Sequence, residues 1–260
     1  MSGGPEDGTG NEADGGSTPL DAVGTPIEEL ARLASAAFAV VFALVVASAI
    51  TAPVTGIAVD LGVVTEETNA WQVLRTVVQF GGFLLAALGY LAITGEWDVV
   101  GIERPTLTDA GLVVVVGLAL LVLQYGALFV LGRFGVTTGQ NTATVAAGDP
   151  ASYYLAMIVV SLLVVGPVEE LLFRGVVQGG LRRTFDALPA ILIASLLFGI
   201  VHLPAVDGSS LEQLAYVGVV VGLGCLLGFL YERTNNVLVP GLAHGAYNAA
   251  IYAFLLVGVA

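Results

Sequence analysis

The chain contains no lysine, only eight arginines, two histidines and a single cysteine. Each shortage closes a class of function. With 21 acidic residues against those eight bases the formal net charge is −13, so no basic patch is available to neutralise a phosphate backbone, and nucleic-acid binding is excluded. One cysteine, Cys225, cannot form a disulfide within the chain. It lies in an apolar run, where a small buried packing residue is the expected role. Charged residues make up 11% of the chain, where a soluble domain carries roughly 25%. Without lysine there is no glycine-rich phosphate loop ending in that residue. The acidic, lysine-free balance would suit a salt-rich cytoplasm.

Apolar residues are abundant: 57% of 260 residues are hydrophobic and the mean hydropathy is +0.92. Seven apolar segments are predicted near 33–52, 73–94, 110–131, 153–178, 188–206, 211–231 and 237–258. Each is long enough to cross a hydrocarbon core of about 30 Å as a helix. Spanning strands would have to close into a barrel and alternate in polarity, and these runs are apolar on all sides. The expected fold is therefore all-α, a polytopic transmembrane bundle of about seven helices. Residues 1–26 are rich in Gly, Ser, Thr, Pro and acid. Seven of the acids, Glu6, Asp7, Glu12, Asp14, Asp21, Glu28 and Glu29, precede residue 30. Such a segment reads as a disordered tail, and its acidity is unlike the basic start of a secretory signal. The division is then 1–26 as tail, 27–150 as N-terminal spans and 151–260 as a C-terminal helical core.

Arginine placement predicts an orientation. With the N-terminus cytoplasmic, Arg32, Arg104, Arg182, Arg183 and Arg233 lie inside and Arg75 and Arg133 near the outside, in line with the positive-inside rule. Loops 53–70, 134–150 and 207–210 then face out. Gly218, Gly222 and Gly228 read as close-packing positions between helices.

Against this background three short polar patterns stand out: Glu169-Glu170-x-x-x-Arg174, Phe198-x-x-x-His202 and His244-x-x-x-Asn248. Ionisable groups at membrane depth are costly and face a water-filled cavity. Glu170 and Arg174 share a helix face and suit an ion pair. Glu169 is left without a local partner, and an unpaired carboxylate in an apolar setting suits general-base work near neutral pH. Glu169 and His202 lie about equally far from the turn near Phe185–Asp186, so a hairpin would bring them to similar depth. His244 and Asn248 occupy one face and could donate to a developing oxyanion. They could equally be an interhelical hydrogen bond. Tyr247, Asn235 and Asn236 read as packing or capping residues.

The three patterns, in this order and on apolar helices, resemble the CAAX prenyl protease and bacteriocin-processing (CPBP) family, which includes the type II CAAX prenyl endopeptidases. Pro167-Val168-Glu169-Glu170-Leu171-Leu172-Phe173-Arg174-Gly175 is the part most similar to its first motif. The resemblance covers about residues 150–255. It implies intramembrane proteolysis, with Glu169 activating a water, His202 assisting, and His244 and Asn248 holding the oxyanion. Glu170, Arg174 and Phe198 would support them. It also implies a membrane-bound peptide or protein substrate, prenylated in one branch of the family, and residence in the cell membrane. No cofactor is obligatory on this reading. Zinc is the alternative, because Glu169, His202 and His244 have the composition of a catalytic zinc set, although H-E-x-x-H is absent. A transporter could use the same groups to line an ion path, but no inverted repeat is evident. A non-catalytic immunity or scaffold protein would be expected to lose one of the four site residues, and all four are present.

Overall fold

The computed structural model describes residues 25–259. The tail expected over 1–26 lies, up to residue 24, outside the described residues. Thr25 and Pro26 belong instead to the first helix, as its N-cap and first residue.

Seven long helices account for the seven apolar segments among the described residues. They are α1 (Pro26–Asp60), α2 (Asn69–Thr94), α3 (Leu107–Arg133), α4 (Pro150–Leu181), α5 (Ala187–Ile200), α6 (Ser210–Thr234) and α7 (Leu238–Val259). Most begin outside the apolar run because a polar residue caps them there. The Thr25, Thr68, Thr106, Asp149 and Ser209 side chains each accept a backbone N–H of the first turn. At the other end, α5 stops at Ile200, short of the segment 188–206 expected from hydropathy. The missing N–H of Pro204 would have served Ile200, so the chain turns and continues as a short 3₁₀ helix, Leu203–Ala205. Asn235 ends α6 in the left-handed conformation, with φ 45°.

α4 is not a uniform helix. Ser161–Val165 and Leu171–Gln178 are π-helical, with α-helical turns before, between and after them. Pro167 cannot donate to the carbonyl of Leu163, and the widened turn just before it accommodates both that loss and the ring. In an α-helix every fourth residue drifts by about 40°. The wider turns offset this drift, so Glu170, Arg174, Gln178 and Arg182 form one file. Arg174 Nη2 donates to Gly224 O at 3.2 Å, Gln178 Nε2 to Gly228 O at 3.1 Å, and Arg182 Nε to Glu232 Oε2 at 3.1 Å, all on α6.

α4 is the centre of the bundle, touching α1, α2, α5, α6 and α7, while α3 lies against α6 and α7. The outer surface is apolar, with Phe38, Val41, Val45, Val114, Val115, Val122, Leu163 and Phe254 all exposed. Water would penalise such a surface and lipid does not. The chain is a multi-pass membrane protein.

The two ends differ. At one, Arg32 meets Glu96 at 2.6 Å, Arg183 meets Asp98 at 2.6 Å, and Asn236 holds the backbone of Glu103. Chain continuity brings Arg104 and Arg233 to the same end as Arg32, Arg182 and Arg183. At the other, Gln140–Asn141 (β1) pairs antiparallel with Val206–Asp207 (β2). The segment around β1 is fastened by Thr137 Oγ1 to Glu212 (2.6 Å), Asn69 Nδ2 to Asp149 O (2.6 Å) and Gln72 Nε2 to Val145 O (3.1 Å).

Of the glycines read as packing positions, Gly228 approaches Gln178 and Ile191 closely. Gly218 meets nothing and Gly222 only the tip of Leu123, because that stripe of α6 lies away from its tightest crossings. Cys225 is half-buried.

Candidate active site

The site is made where α4 and α7 cross with almost no side chain between them. A Cβ on Gly166 would lie 2.5 Å from Gly241 O and Gly245 N, and one on Gly245 would lie 2.7 Å from Ser161 O. This contact, spaced Gly-x-x-x-Gly on α7, is what brings His244 within reach of the α4 carboxylates.

The His244 ring lies between the two glutamates. Its Nδ1 is 3.0 Å from Glu170 Oε1, and its Nε2 is 3.7 Å from Glu169 Oε2. A carboxylate accepts, so Nδ1–H donates to Glu170 and leaves Nε2 facing Glu169. The 3.7 Å separation is too long for a hydrogen bond. Glu170 also faces Arg174, with Oε2 to Nε at 3.1 Å and both side chains fully buried. The contact is ionic and lacks hydrogen-bond alignment. Arg174 stacks its guanidinium on the Phe198 ring, 5.0 Å from the centroid.

His202 follows the last turn of α5. Its Nδ1 is 2.7 Å from Phe198 O, and a carbonyl only accepts, so Nδ1 carries a proton and Nε2 is the free nitrogen of the neutral ring. Phe198 packs edge-on against His202, His244 and Phe173, with centroids at 4.7, 5.7 and 5.0 Å. It is the apolar partition of the site.

Glu169, His202, His244 and Asn248 all line one cavity of about 480 Å³. Glu170 and Arg174 lie behind its wall. The cavity runs from the β1 end into the bundle between an apolar wall of α1 and α2 (Val40, Leu44, Phe83) and one of α3 (Leu120, Leu128). Several polar lining residues were not singled out from sequence: Thr76 and Gln79 on α2, Gln124 on α3, Asn141 at β1 and Tyr216 on α6. For Gln79 and Gln124 the signal was present, an amide inside an apolar run. Asn141 and Tyr216 sit in unremarkable contexts. Tyr247, read from sequence as packing, lines the cavity as well. Asn236 and Asn235 hold loops at the arginine-rich end, away from it.

Zinc would need three side-chain donors grouped around one point. Among the described residues no three His, Cys, Asp or Glu side chains are grouped to hold an ion. Glu169 and Glu170 address opposite nitrogens of one imidazole, and the Nδ1 nitrogens of both histidines are engaged. Nε2 of each histidine is then the nitrogen that a metal ion would meet.

Fold and site together define a polytopic membrane protein with a Glu–His–Asn cavity enclosed by its spanning helices. Residues 151–250 match the family described as "Type II CAAX prenyl endopeptidase Rce1-like". It is 35% identical over 96 residues to a Bacillus subtilis (strain 168) protein named provisionally as the membrane peptidase YdiL. The shared stretch covers 36% of this chain and 35% of that relative. No solved structure matches the chain.

Proposed function

We propose that the protein is an intramembrane endopeptidase that cleaves membrane-associated peptides with a water activated by Glu169. The observation that carries this reading is the convergence of Glu169, His202, His244 and Asn248 on one cavity at membrane depth. Glu169 takes a proton from water. His202 presents a lone pair on Nε2 as a second acceptor. The resulting hydroxide attacks the scissile carbonyl, and the Asn248 amide, with a proton on His244 Nε2, donates to the oxygen that becomes negative; the intermediate then collapses with breakage of the C–N bond, and the proton held by Glu169 passes to the leaving amine. Glu170 and Arg174 hold the His244 ring from behind and act as positioning residues.

The two apolar walls support a substrate that brings an apolar chain or segment beside its peptide. Prenylated CAAX-type C-termini are one such class, and the matched family's description points the same way. The arginine-rich end supports a cytoplasmic N-terminus, which would turn the β1 end of the cavity to the outer side.

The test is Glu169→Gln in the full chain, comparing membrane and secreted peptides of host cells with those of cells carrying the wild type. Cleavage should fall by orders of magnitude with folding intact. Equal peptide profiles would refute the assignment.

A further inference from the structure

Tyr216 lies outside all three sequence patterns, yet its surroundings fix where its proton points. Asn141 Nδ2 is 2.8 Å from Tyr216 Oη. The orientation of that amide is determined from its other side, where the N–H of Ala143 donates to Asn141 Oδ1 at 2.9 Å. The NH₂ group therefore faces the tyrosine, and the phenolic oxygen is the acceptor. Its own O–H is not used by Asn141, and among the described residues no protein atom receives it. Tyr216 lines the same cavity as Glu169 and His202.

Asn141 is firmly held. Its backbone pairs with Val206 in the two-stranded ribbon, and its carbonyl accepts from Thr144 Oγ1 at 2.7 Å. Val206 is four residues beyond His202, and Ala205 N–H bonds His202 O at 3.0 Å. One short stretch therefore anchors both the ribbon and the histidine. The Tyr216 ring packs against the core that includes Phe173 and Phe198. Ring and amide are both immobilised, which is what a preorganised donor requires.

We propose that Tyr216, set by Asn141, donates a hydrogen bond to a carbonyl of the bound peptide at the ribbon end of the cavity and polarises it during cleavage. The inference rests on the endopeptidase reading above. Asn141 acts through Tyr216, as a positioning residue.

Two substitutions test the direction of the bond. Tyr216→Phe removes the donor and keeps the ring. Asn141→Asp keeps the shape but turns the Nδ2 donor into an acceptor, which captures the tyrosine proton. Both should lower kcat by roughly 10²-fold with little change in KM, the range found when one oxyanion donor is removed. The double variant should be no worse than either single one. The assay uses the full chain in proteoliposomes and an internally quenched peptide selected from a synthetic library by wild-type cleavage, with Glu169→Gln run beside it. Wild-type kcat in Tyr216→Phe, with Glu169→Gln inactive, overturns this proposal and leaves the peptidase standing. Wild-type kcat in Asn141→Asp, with Tyr216→Phe impaired, overturns the assigned direction. Activity in Glu169→Gln, or no library member cleaved by the wild type, overturns both.

Discussion

Replacing Glu170 by Gln should unsettle the protein far more than the same change at its neighbour Glu169. Glu170 and Arg174 are each 0% exposed and face each other at 3.1 Å. After the substitution the amide can still accept from His244 Nδ1, so the shape survives while the charge is lost. Arg174 then keeps a hydrogen bond to Gly224 O and its stacking on Phe198, neither of which neutralises it. Removing one partner of a buried pair costs about 3–5 kcal/mol, because a charge is left uncompensated. For a protein of this size that is a fall in melting temperature on the order of 10 °C. Glu169, whose side chain is 12% exposed in the cavity and meets His244 only at 3.7 Å, should tolerate Gln with a change of about 1 kcal/mol or less. Thermal unfolding of the purified protein in one detergent, followed by circular dichroism, measures both. Glu170→Leu combined with Arg174→Met should recover much of the loss, since replacing both charges by apolar groups removes the desolvation penalty. If Glu170→Gln melts within a degree or two of wild type, the pair does not carry the charge balance argued here.

The α4–α7 crossing gives a second contrast. Gly245→Ala should cost about 1–3 kcal/mol and depress cleavage, because its Cβ meets Ser161 O at 2.7 Å, whereas Gly218→Ala, with nothing near it, should be silent in both measurements. In a Cys225→Ala background, cysteines placed at Val63 and Ile102 should label from opposite sides of the membrane, with Ile102 on the cytoplasmic side; labelling from one side defeats the proposed orientation. Purified protein should keep its cleavage after exhaustive chelation and hold well below one metal per chain. Stoichiometric zinc lost on changing Glu169, His202 or His244 would overturn the direct water mechanism and leave proteolysis intact.

The spans were legible because lipid demands long uncharged runs, and a segment such as 33–52 carries that demand in composition alone. Their ends were less so. α1 extends to Pro26 and Asp60 through caps and polar turns that hydropathy does not register. Cavity membership of Glu169, His202, His244 and Asn248 followed from the cost of polar groups at depth. What could not be read was how they face one another. The bond between His244 and Glu170 joins residues 74 apart, and it depends on how closely two helices approach at three glycines. Nothing in the composition of α6 distinguishes Gly218, which meets no neighbour, from Gly224, which lies against Ser195. The π-helical turns of α4 likewise have no residue signature beyond Pro167.

The buried file on α4 has a consequence for how the protein is made. Arg174 finds its carbonyl on α6, 50 residues further along, and Glu170 finds its histidine on α7, 74 residues along. A ribosome therefore releases α4 into the insertion machinery well before either partner has been translated. At the centre of a helix bathed in lipid, an arginine costs about 2.5–3.5 kcal/mol on the insertion scale. α4 is thus poorly suited to settle on its own and gains from waiting beside the translocon until α6 and α7 emerge. Membrane integration of this chain would then proceed as a late, collective event, with the helix that carries Glu169 entering lipid already accompanied.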